Sequence, residues 1–182
     1  DTHRMQAIVT ALDEPWRERV EEIWAELRAV FQLKAIAGST EPHVTYHVAE
    51  RYDETRIASI VARIAGAAAP FEIETEGLGV FRGEETVLSL HITPSAELRA
   101  MHAAIWSDVS AAASGVKAVY AAETWAPHVT LAIGDLREEQ LPDIMALLGR
   151  RDYRWRIPAA NLCLIPDTAS TTAAWTRWDL RR

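Results

Sequence analysis

Apolar positions along the chain follow two different periods, and the changes between them divide it into strands and helices. The apolar run MQAIVTAL at residues 5–12 predicts a strand, and the stripe after it repeats every three to four residues, as one face of a long helix does. Asp13 and Pro15 stand where a helix start would place a capping carboxylate and a first-turn proline. The members of this stripe are Trp16, Val20, Ile23, Trp24, Leu27, Val30 and Phe31.

The same succession of elements is predicted twice. The first series places a strand at 5–12, a helix from 13, a strand around His43, a helix from 52–55 and a strand at 71–81. The second series places a strand at 86–93, a helix from Pro94-Ser95, a strand around His128, a helix from Arg137, strands in YRWRI and NLCLI, and a closing strand in AAWTRWDL. This pattern indicates a duplicated unit, although the halves share negligible sequence outside one short motif.

The duplication predicts an α+β fold in one domain of 182 residues. Its two lobes, from about 5–85 and 86–182, would be related by a pseudo-twofold axis, could exchange strands, and would place two sheets on either side of a central cleft. A doubly wound parallel sheet is disfavoured, because the turn after the first strand, IVTALDEP, has no glycine-rich phosphate loop.

Composition limits the partners of such a domain. The net charge of −7 argues against a surface that holds an extended nucleic acid, but a small or terminal phosphate in a locally basic cleft remains compatible with it. No apolar run approaches the roughly 20 residues of a membrane span, and no secretory pattern is present. Cys163 is the single cysteine and cannot form an internal disulfide. We therefore expect a cytoplasmic monomer.

The tetrapeptide PHVT occurs at residues 42–45 and again at 127–130. On a strand, alternate residues share a face, so His43 and Thr45 would point away from Val44, and the second copy would behave alike. If a pseudo-twofold axis relates the lobes, these faces look at each other across the cleft. Two imidazoles and two hydroxyls would then surround one pocket.

This set of groups suits phosphodiester chemistry. An imidazole has an unperturbed pKa of about 6.5, so one ring can accept a proton while the other donates one, each worth roughly 10²- to 10⁴-fold in rate. Threonine hydroxyls can donate to the non-bridging phosphate oxygens and hold the phosphate in line. Neither role needs a metal or another cofactor, and we expect none.

The two motifs carry a resemblance to a known family. His43-Val44-Thr45-Tyr46 and His128-Val129-Thr130-Leu131 match the His-hydrophobic-Thr/Ser-hydrophobic signature of the two-histidine (2H) phosphoesterases, which include the 2'-5' RNA ligase-like proteins and the RNA cyclic phosphodiesterases. The resemblance extends over essentially the whole chain. It implies a bilobal α+β groove and metal-independent cleavage of cyclic phosphates or 2'-5' phosphodiesters, with the two histidines as acid and base.

The resemblance leaves the substrate open. Members of the family often carry a basic residue just after the second motif, where this chain has LAIGD. The favoured substrate is an RNA or nucleotide 2',3'-cyclic phosphate opened by water. The alternatives are 2'-5' RNA ligation or cleavage of a cyclic oligonucleotide by the same residues, and a binding module that captures a nucleotide without turning it over.

Several further residues are candidates for substrate contact. Lys34 and Lys117 precede the two motifs by similar distances and could meet phosphate, whereas Tyr46, Tyr120 and Trp125 could stack a base. His47 should share the face of His43, either in the groove or as a solvated residue at the strand end. The spacing of these two histidines would suit a metal on a helix but not on a strand, so no metal site is predicted.

A third H-x-T match, His91-Ile92-Thr93, tests how specific the pattern is. Pro94 follows it directly, and it lies on the strand that precedes a helix, a position that Val9 or Ala7 would occupy in the first half. We therefore expect His91 to line the groove or to be structural, not to be a third proton-transfer residue.

Overall fold

The elements of the fold follow the predicted order, except that the segment before the second motif contains a short strand that was not predicted. A computed structural model describes residues 4–37 and 40–182. The strands are β1 (Gln6–Ala11), β2 (His43–Tyr52), β3 (Phe71–Phe81), β4 (Val87–Ile92), β5 (Ala113–Val116), β6 (His128–Ala132), β7 (Arg156–Ala159), β8 (Asn161–Ile165) and β9 (Thr176–Asp179). The helices are α1 (Trp16–Phe31), α2 (Ile57–Ala67), α3 (Ala96–Ser110) and α4 (Leu141–Leu148), with short 3₁₀ turns at Ala118–Tyr120 and Glu138–Gln140.

The strands form two sheets, and each sheet takes strands from both halves of the sequence. One sheet has the order β5-β2-β1-β8-β9 and the other has the order β6-β4-β3-β7. Every pairing between neighbours is antiparallel. Strand β3 of the first half thus lies beside β4, and β8 of the second half lies beside β1. This arrangement confirms the predicted α+β class.

The two PHVT repeats begin their strands in the same way. The carbonyl of Pro42 accepts a hydrogen bond from the backbone N–H of Leu12 (3.0 Å), and the carbonyl of Pro127 accepts one from Ile92 (3.1 Å). Each proline thereby ties its motif to the neighbouring strand, β1 or β4. Strands β2 and β6 also contact each other, so the two sheets adjoin along the motif strands.

Helix starts were predicted with mixed success. Ser95 caps α3 as expected, because its hydroxyl accepts a hydrogen bond from the backbone N–H of Leu98. The capping role of Asp13 was wrong: its carboxylate pairs with Arg177 (2.6 Å), and the carboxylate of Glu14 instead accepts a hydrogen bond from the backbone N–H of Glu18 (3.1 Å). Val30 was also wrongly assigned to the apolar stripe and is 59% exposed.

The main hydrophobic core runs through both sheets. It includes Ile8 of β1 and Leu90 of β4, both fully buried, and the helices cover it. Helix α1 packs on β6, whereas α3 packs on β2, so each long helix supports the motif strand of the other half. No described helix is long and apolar enough to cross a membrane.

Candidate active site

The motif side chains lie on the face that the alternation predicts. His43 and Thr45 in β2 are half-buried, while Val44 between them is fully buried. His128 and Thr130 in β6 show the same pattern. Each histidine is the first residue of its strand. The core therefore holds the strand through its apolar residues and leaves an imidazole and a hydroxyl on the open face.

The two imidazoles are anchored in the same way. Nδ1 of His43 donates to the carbonyl of Glu41 (2.6 Å), and Nδ1 of His128 donates to the carbonyl of Ala126 (2.8 Å). A carbonyl can only accept, so the neutral form of each ring carries its proton on Nδ1. Nε2 of each ring is then the atom that can take a proton from a substrate or give one to it.

The pKa values of the two motif histidines are both lowered. Burial lowers the pKa of His43 below its ordinary value, the hydrogen bond to Glu41 opposes that shift, and the charge of His128 lowers the pKa further. Burial lowers the pKa of His128 as well, the bond to Ala126 opposes it, and the charge of His91 adds to the lowering. A second proton is therefore harder to add than the first, which favours the state with one charged ring.

Two indole groups support the motif threonines symmetrically. Nε1 of Trp24 in α1 donates to the carbonyl of Thr130 (3.1 Å), and Nε1 of Trp125 donates to the carbonyl of Thr45 (2.9 Å). The hydroxyls of both threonines form no hydrogen bond with any other residue in 4–37 or 40–182. They are therefore free to donate to a ligand.

The residues that lie opposite the two motifs on the neighbouring strands differ in polarity. In the register of β1 with β2, His43 lies opposite Ala11 and Thr45 lies opposite Val9. In the register of β4 with β6, His128 lies opposite His91 and Thr130 lies opposite Ser89. The counterpart of His91 is thus Ala11, not the predicted Val9 or Ala7. The strand beside the first motif therefore presents apolar residues, and the strand beside the second motif presents polar ones.

Two aromatic side chains flank the histidines, and neither was predicted from the sequence. The ring of Trp175, just before β9, meets that of His43 edge-on at 5.6 Å between centroids. Phe81, at the end of β3, lies 4.8 Å from His128 and stacks on His91 at 4.7 Å. The available signal was GLGVF at 77–81, because glycines inside a strand often mark a close approach by another group.

The predicted contact residues are placed less centrally. Lys34 and Lys117 are exposed; their backbone N–H groups bond Asp135, beyond β6, and Val48, five residues after His43. Each lysine therefore lies near the far end of a motif strand. Along the backbone, that end is on the order of 15 Å or more from the motif histidine. Tyr120 and Trp125 are half-buried. His102 covers one face of Trp125 at 4.0 Å between ring centroids and bonds the carbonyl of Tyr120.

The predictions for Tyr46 and His47 were wrong: Tyr46 was expected to stack a base, and His47 was expected either in the groove or solvated at the strand end. Both are fully buried, and Tyr46 bonds Thr10 through its hydroxyl (2.8 Å). The pairing of β1 with β2 skips Tyr46, since Val9 lies opposite Thr45 and Ile8 lies opposite His47. This bulge reverses the alternation and turns His47 into the core.

The buried His47 predicts acid instability. Its ring bonds the hydroxyls of Tyr52 (2.8 Å) and Ser110 (2.9 Å), and burial lowers its pKa to about 4, assisted by the charge of His102. Because the pKa is depressed on folding, the neutral ring contributes stability above pH 6.5, and this contribution is lost as the pH falls toward 4. We expect the loss to reach a few kcal/mol, measured as the free energy of unfolding by denaturant at successive pH values.

A matched variant checks that the loss belongs to this residue. His47→Gln keeps a hydrogen-bonding side chain but cannot titrate, so its stability at pH 7 should fall while the further loss between pH 6.5 and 4 becomes shallower. An unchanged pH slope in the variant would contradict the assignment. The lowered pKa values of His43, His102, His128 and Glu26 contribute to the remaining slope.

A match to the sequence profile of a known family identifies the family of this chain. The profile of the 2'-5' RNA ligase superfamily matches residues 12–169, which include both motifs. The chain belongs to this superfamily. The resemblance to two-histidine phosphoesterases is thereby confirmed. No curated protein matches the chain.

Solved structures share the superfamily fold of this chain at low sequence identity. The protein TT0787 of Thermus thermophilus superposes with a TM-score of 0.66 and 15% identity, covering 97% of this chain and 98% of the other. LigT of E. coli gives a TM-score of 0.61 and 18% identity, with 98% of each chain covered. Usb1 of Kluyveromyces marxianus gives 0.55 and 10%, with 98% and 99% covered. The α+β architecture of this chain, with its two antiparallel sheets, is thus the fold of these proteins as well.

Proposed function

We propose that this protein is a phosphodiesterase that opens an RNA or nucleotide 2',3'-cyclic phosphate, or cleaves a 2'-5' phosphodiester, by acid–base catalysis with His43 and His128. The observation that carries the proposal is the matched anchoring of the two imidazoles through Nδ1 to the carbonyls of Glu41 and Ala126. Because Nδ1 of each ring is engaged, Nε2 is the nitrogen that remains for proton transfer. The charge of one ring reaches the other, as proton transfers at the same phosphate require.

The reaction needs one neutral and one charged imidazole. Nε2 of the neutral ring takes a proton from water as the water oxygen forms a bond to phosphorus. Nε2–H of the charged ring gives its proton to the ribose oxygen as the bond between that oxygen and phosphorus breaks. The product is a phosphomonoester with a free hydroxyl. The two rings have then exchanged protonation states, and proton exchange with solvent restores the starting state.

The hydroxyls of Thr45 and Thr130 are suited to the non-bridging oxygens of the phosphate. Each lies two residues from its histidine on the same strand face and has no partner within the described parts of the chain. Donors that are preorganised in this way stabilise the charge that develops on phosphate oxygens in the transition state. Each motif would thus supply a proton-transfer group and an oxygen donor.

Nucleotide complexes of similar proteins support the substrate class. LigT of E. coli has been crystallised with 3'-AMP and with NADP+, and Usb1 of Kluyveromyces marxianus with uridine monophosphate. A nucleoside monophosphate of this kind is the product expected from a 2',3'-cyclic nucleotide. We extend the same ligand chemistry to the cleft of this chain.

The test is a panel of substrates assayed after treatment with EDTA. The panel contains 2',3'-cyclic nucleotides, 2'-5'-linked dinucleotides and cyclic dinucleotides, with RNA ends added for the reverse, ligating reaction. Hydrolysis of the first or second class that survives EDTA is the expected result. Activity on cyclic dinucleotides alone would assign a cyclic oligonucleotide as the substrate, and ligation alone would assign RNA ends. Binding without turnover would indicate a nucleotide-binding module and not an enzyme.

The pH dependence of activity has a predictable direction. The pKa values of His43 and His128 are both lowered in the free protein, so the singly protonated state forms on the acidic side of their ordinary value of 6.5. The profile of kcat/KM should be bell-shaped with its maximum below about pH 6.5. The kcat profile should lie at higher pH, because a bound phosphate anion favours the charged imidazole. A maximum of kcat/KM above about pH 7.5 would contradict the assignment.

A further inference from the structure

A third histidine lies next to the second motif. His91 of β4 is directly opposite His128 of β6, on the same sheet face. Its ring stacks on Phe81 with an interplanar angle of 21°, and the same phenyl ring lies 4.8 Å from the imidazole of His128. Phe81 thus contacts both histidines, stacked on His91 and tilted by 55° against His128. Nε2 of His91 is buried and has no hydrogen-bond partner among the described residues.

The stack depends on a glycine in the neighbouring strand. Gly79 of β3 lies beside β4, and a Cβ atom added there would overlap the imidazole of His91 at Nε2, Cδ2 and Cε1. The ring of His91 therefore rests on the bare backbone of Gly79. Any larger residue at position 79 would displace the ring and leave Phe81 without its partner.

The first motif has no such arrangement. The residue opposite His43 in the register of β1 with β2 is Ala11, whose methyl group packs among Val9, Cys163 and Ile165. The pseudo-twofold relation between the motifs is therefore broken by one side chain. A feature that belongs to one motif alone can give the two catalytic histidines different properties.

We propose that His91 is a positioning residue for His128: its ring holds Phe81 against the imidazole of His128, and its place directly opposite His128 gives this histidine a neighbour that His43 lacks. The inference rests on the proposed proton-transfer role of His128. Burial lowers the pKa of His128, and the charge of His91 lowers it further, so both favour the unprotonated imidazole of His128. His43 has no equivalent neighbour among the described residues of its own sheet.

The groups that face His128 are few, so the effect of His91 can be isolated. His91 faces it from β4 and His43 from β2 across the cleft. The residues of β3 on this sheet face are Gly77, Gly79 and Phe81, which carry no charge. Helix α1 contributes the neutral indole of Trp24 behind β6. If the imidazole of His91 is removed, His43 is the one titratable group among those named that still faces His128.

The first test follows ring titrations by NMR and needs no substrate. The imidazole signals of His128, assigned by their loss in His128→Ala, are followed against pH in the wild type, in His91→Ala and in His91→Phe. We expect His128 to titrate at higher pH in both variants, while His43 moves less. Unchanged titration of His128 in both variants would overturn the proposal, whether or not the protein turns over any substrate.

The phenylalanine variant separates packing from charge. His91→Phe keeps an aromatic partner for Phe81, whereas His91→Ala removes it. With the substrate found in the panel assay, we expect kcat/KM at the wild-type optimum to fall about tenfold in His91→Ala and less in His91→Phe. Equal losses in the two variants would contradict a role for the stack.

A double substitution tests the dependence on Gly79. Gly79→Ala should displace the ring of His91 and impair folding or activity, but in Gly79→Ala/His91→Ala the added methyl group meets open space. The double variant should therefore behave like His91→Ala alone, so that the two effects are strongly non-additive. Gly83→Ala, in the loop after β3 where an added Cβ meets nothing within 4 Å, is the control. Additive losses in the double variant would show that the ring does not rest on Gly79.

Discussion

Replacing either His43 or His128 with alanine is expected to lower kcat/KM by at least about 100-fold, because each substitution removes one of the two proton transfers. Each ring is anchored by its own backbone carbonyl and leaves the same nitrogen for the substrate. Neither can replace the other from across the cleft. The measurement is kcat/KM over the whole pH range, so that a displaced optimum is not mistaken for a lost group.

The double variant sharpens this expectation. Two groups that act on the same phosphate in one transition state depend on each other, so the loss in His43→Ala/His128→Ala should be much smaller than the product of the two single losses. The bell-shaped profile should also disappear in each single variant, with one limb removed. Retention of both limbs after either substitution would assign proton transfer to other residues.

A control near the first motif distinguishes chemistry from local disruption. The carbonyl of Glu41 anchors His43, whereas its side chain forms an exposed ion pair with Arg17 at 3.5 Å. Glu41→Ala removes the carboxylate but keeps the carbonyl, and exposed pairs of this kind contribute little to stability. Its activity should therefore remain within a few-fold of the wild type. A loss as large as that of His43→Ala would indicate that the loop, not the imidazole, had been tested.

Alternation along the motif strands was the most informative part of the sequence. A strand that buries Val44 must turn His43 and Thr45 to the other side, and the second motif follows the same rule. The limits of β3 were also predicted correctly, since the alternating stretch at 71–81 is bounded by proline and polar residues. These features depend on residues adjacent in sequence, and short-range patterns report them well.

Features that depend on distant residues were not predictable in this way. The bulge at Tyr46 buries His47, but it exists because of how β1 pairs with β2. Asp13 has the local character of a helix cap, yet Arg177 from the far end of the chain binds its carboxylate. Trp175 reaches His43 from the segment between β8 and β9. In each case a residue far away in the sequence determines where the side chain lies. The local pattern of apolar and polar residues does not identify that distant residue.

The asymmetry of the cleft has the same origin. The sequence repeats PHVT without change, so the two motifs look equivalent, but the residues opposite them lie on strands whose register only the fold reveals. Ala11 and His91 stand at corresponding places and differ in size, polarity and ability to titrate. A duplicated motif therefore specifies which groups take part, while its neighbours give each copy its own environment.

Replacing the motif threonines with valine is expected to lower kcat by about 100-fold per hydroxyl with little change in stability. The hydroxyls of Thr45 and Thr130 have no partner in the described protein, so valine, which has a similar shape, removes no hydrogen bond from the folded state. What is lost is a donor to the phosphate oxygens of the transition state. Serine at either position restores the donor and should recover most of the activity.

Thr10 is the matched control, because it is a buried threonine whose hydroxyl is fully engaged. Its Oγ donates to the carbonyl of Asn161 (2.9 Å) and bonds the hydroxyl of Tyr46 (2.8 Å). Thr10→Val leaves both partners unsatisfied in the core and should destabilise the fold by about 1–3 kcal/mol while kcat changes less than in the motif variants. The three variants thus separate two roles of one side chain, measured by thermal unfolding and by kcat. If Thr45→Val and Thr130→Val instead lose stability and keep their activity, the hydroxyls bind the protein and not the phosphate.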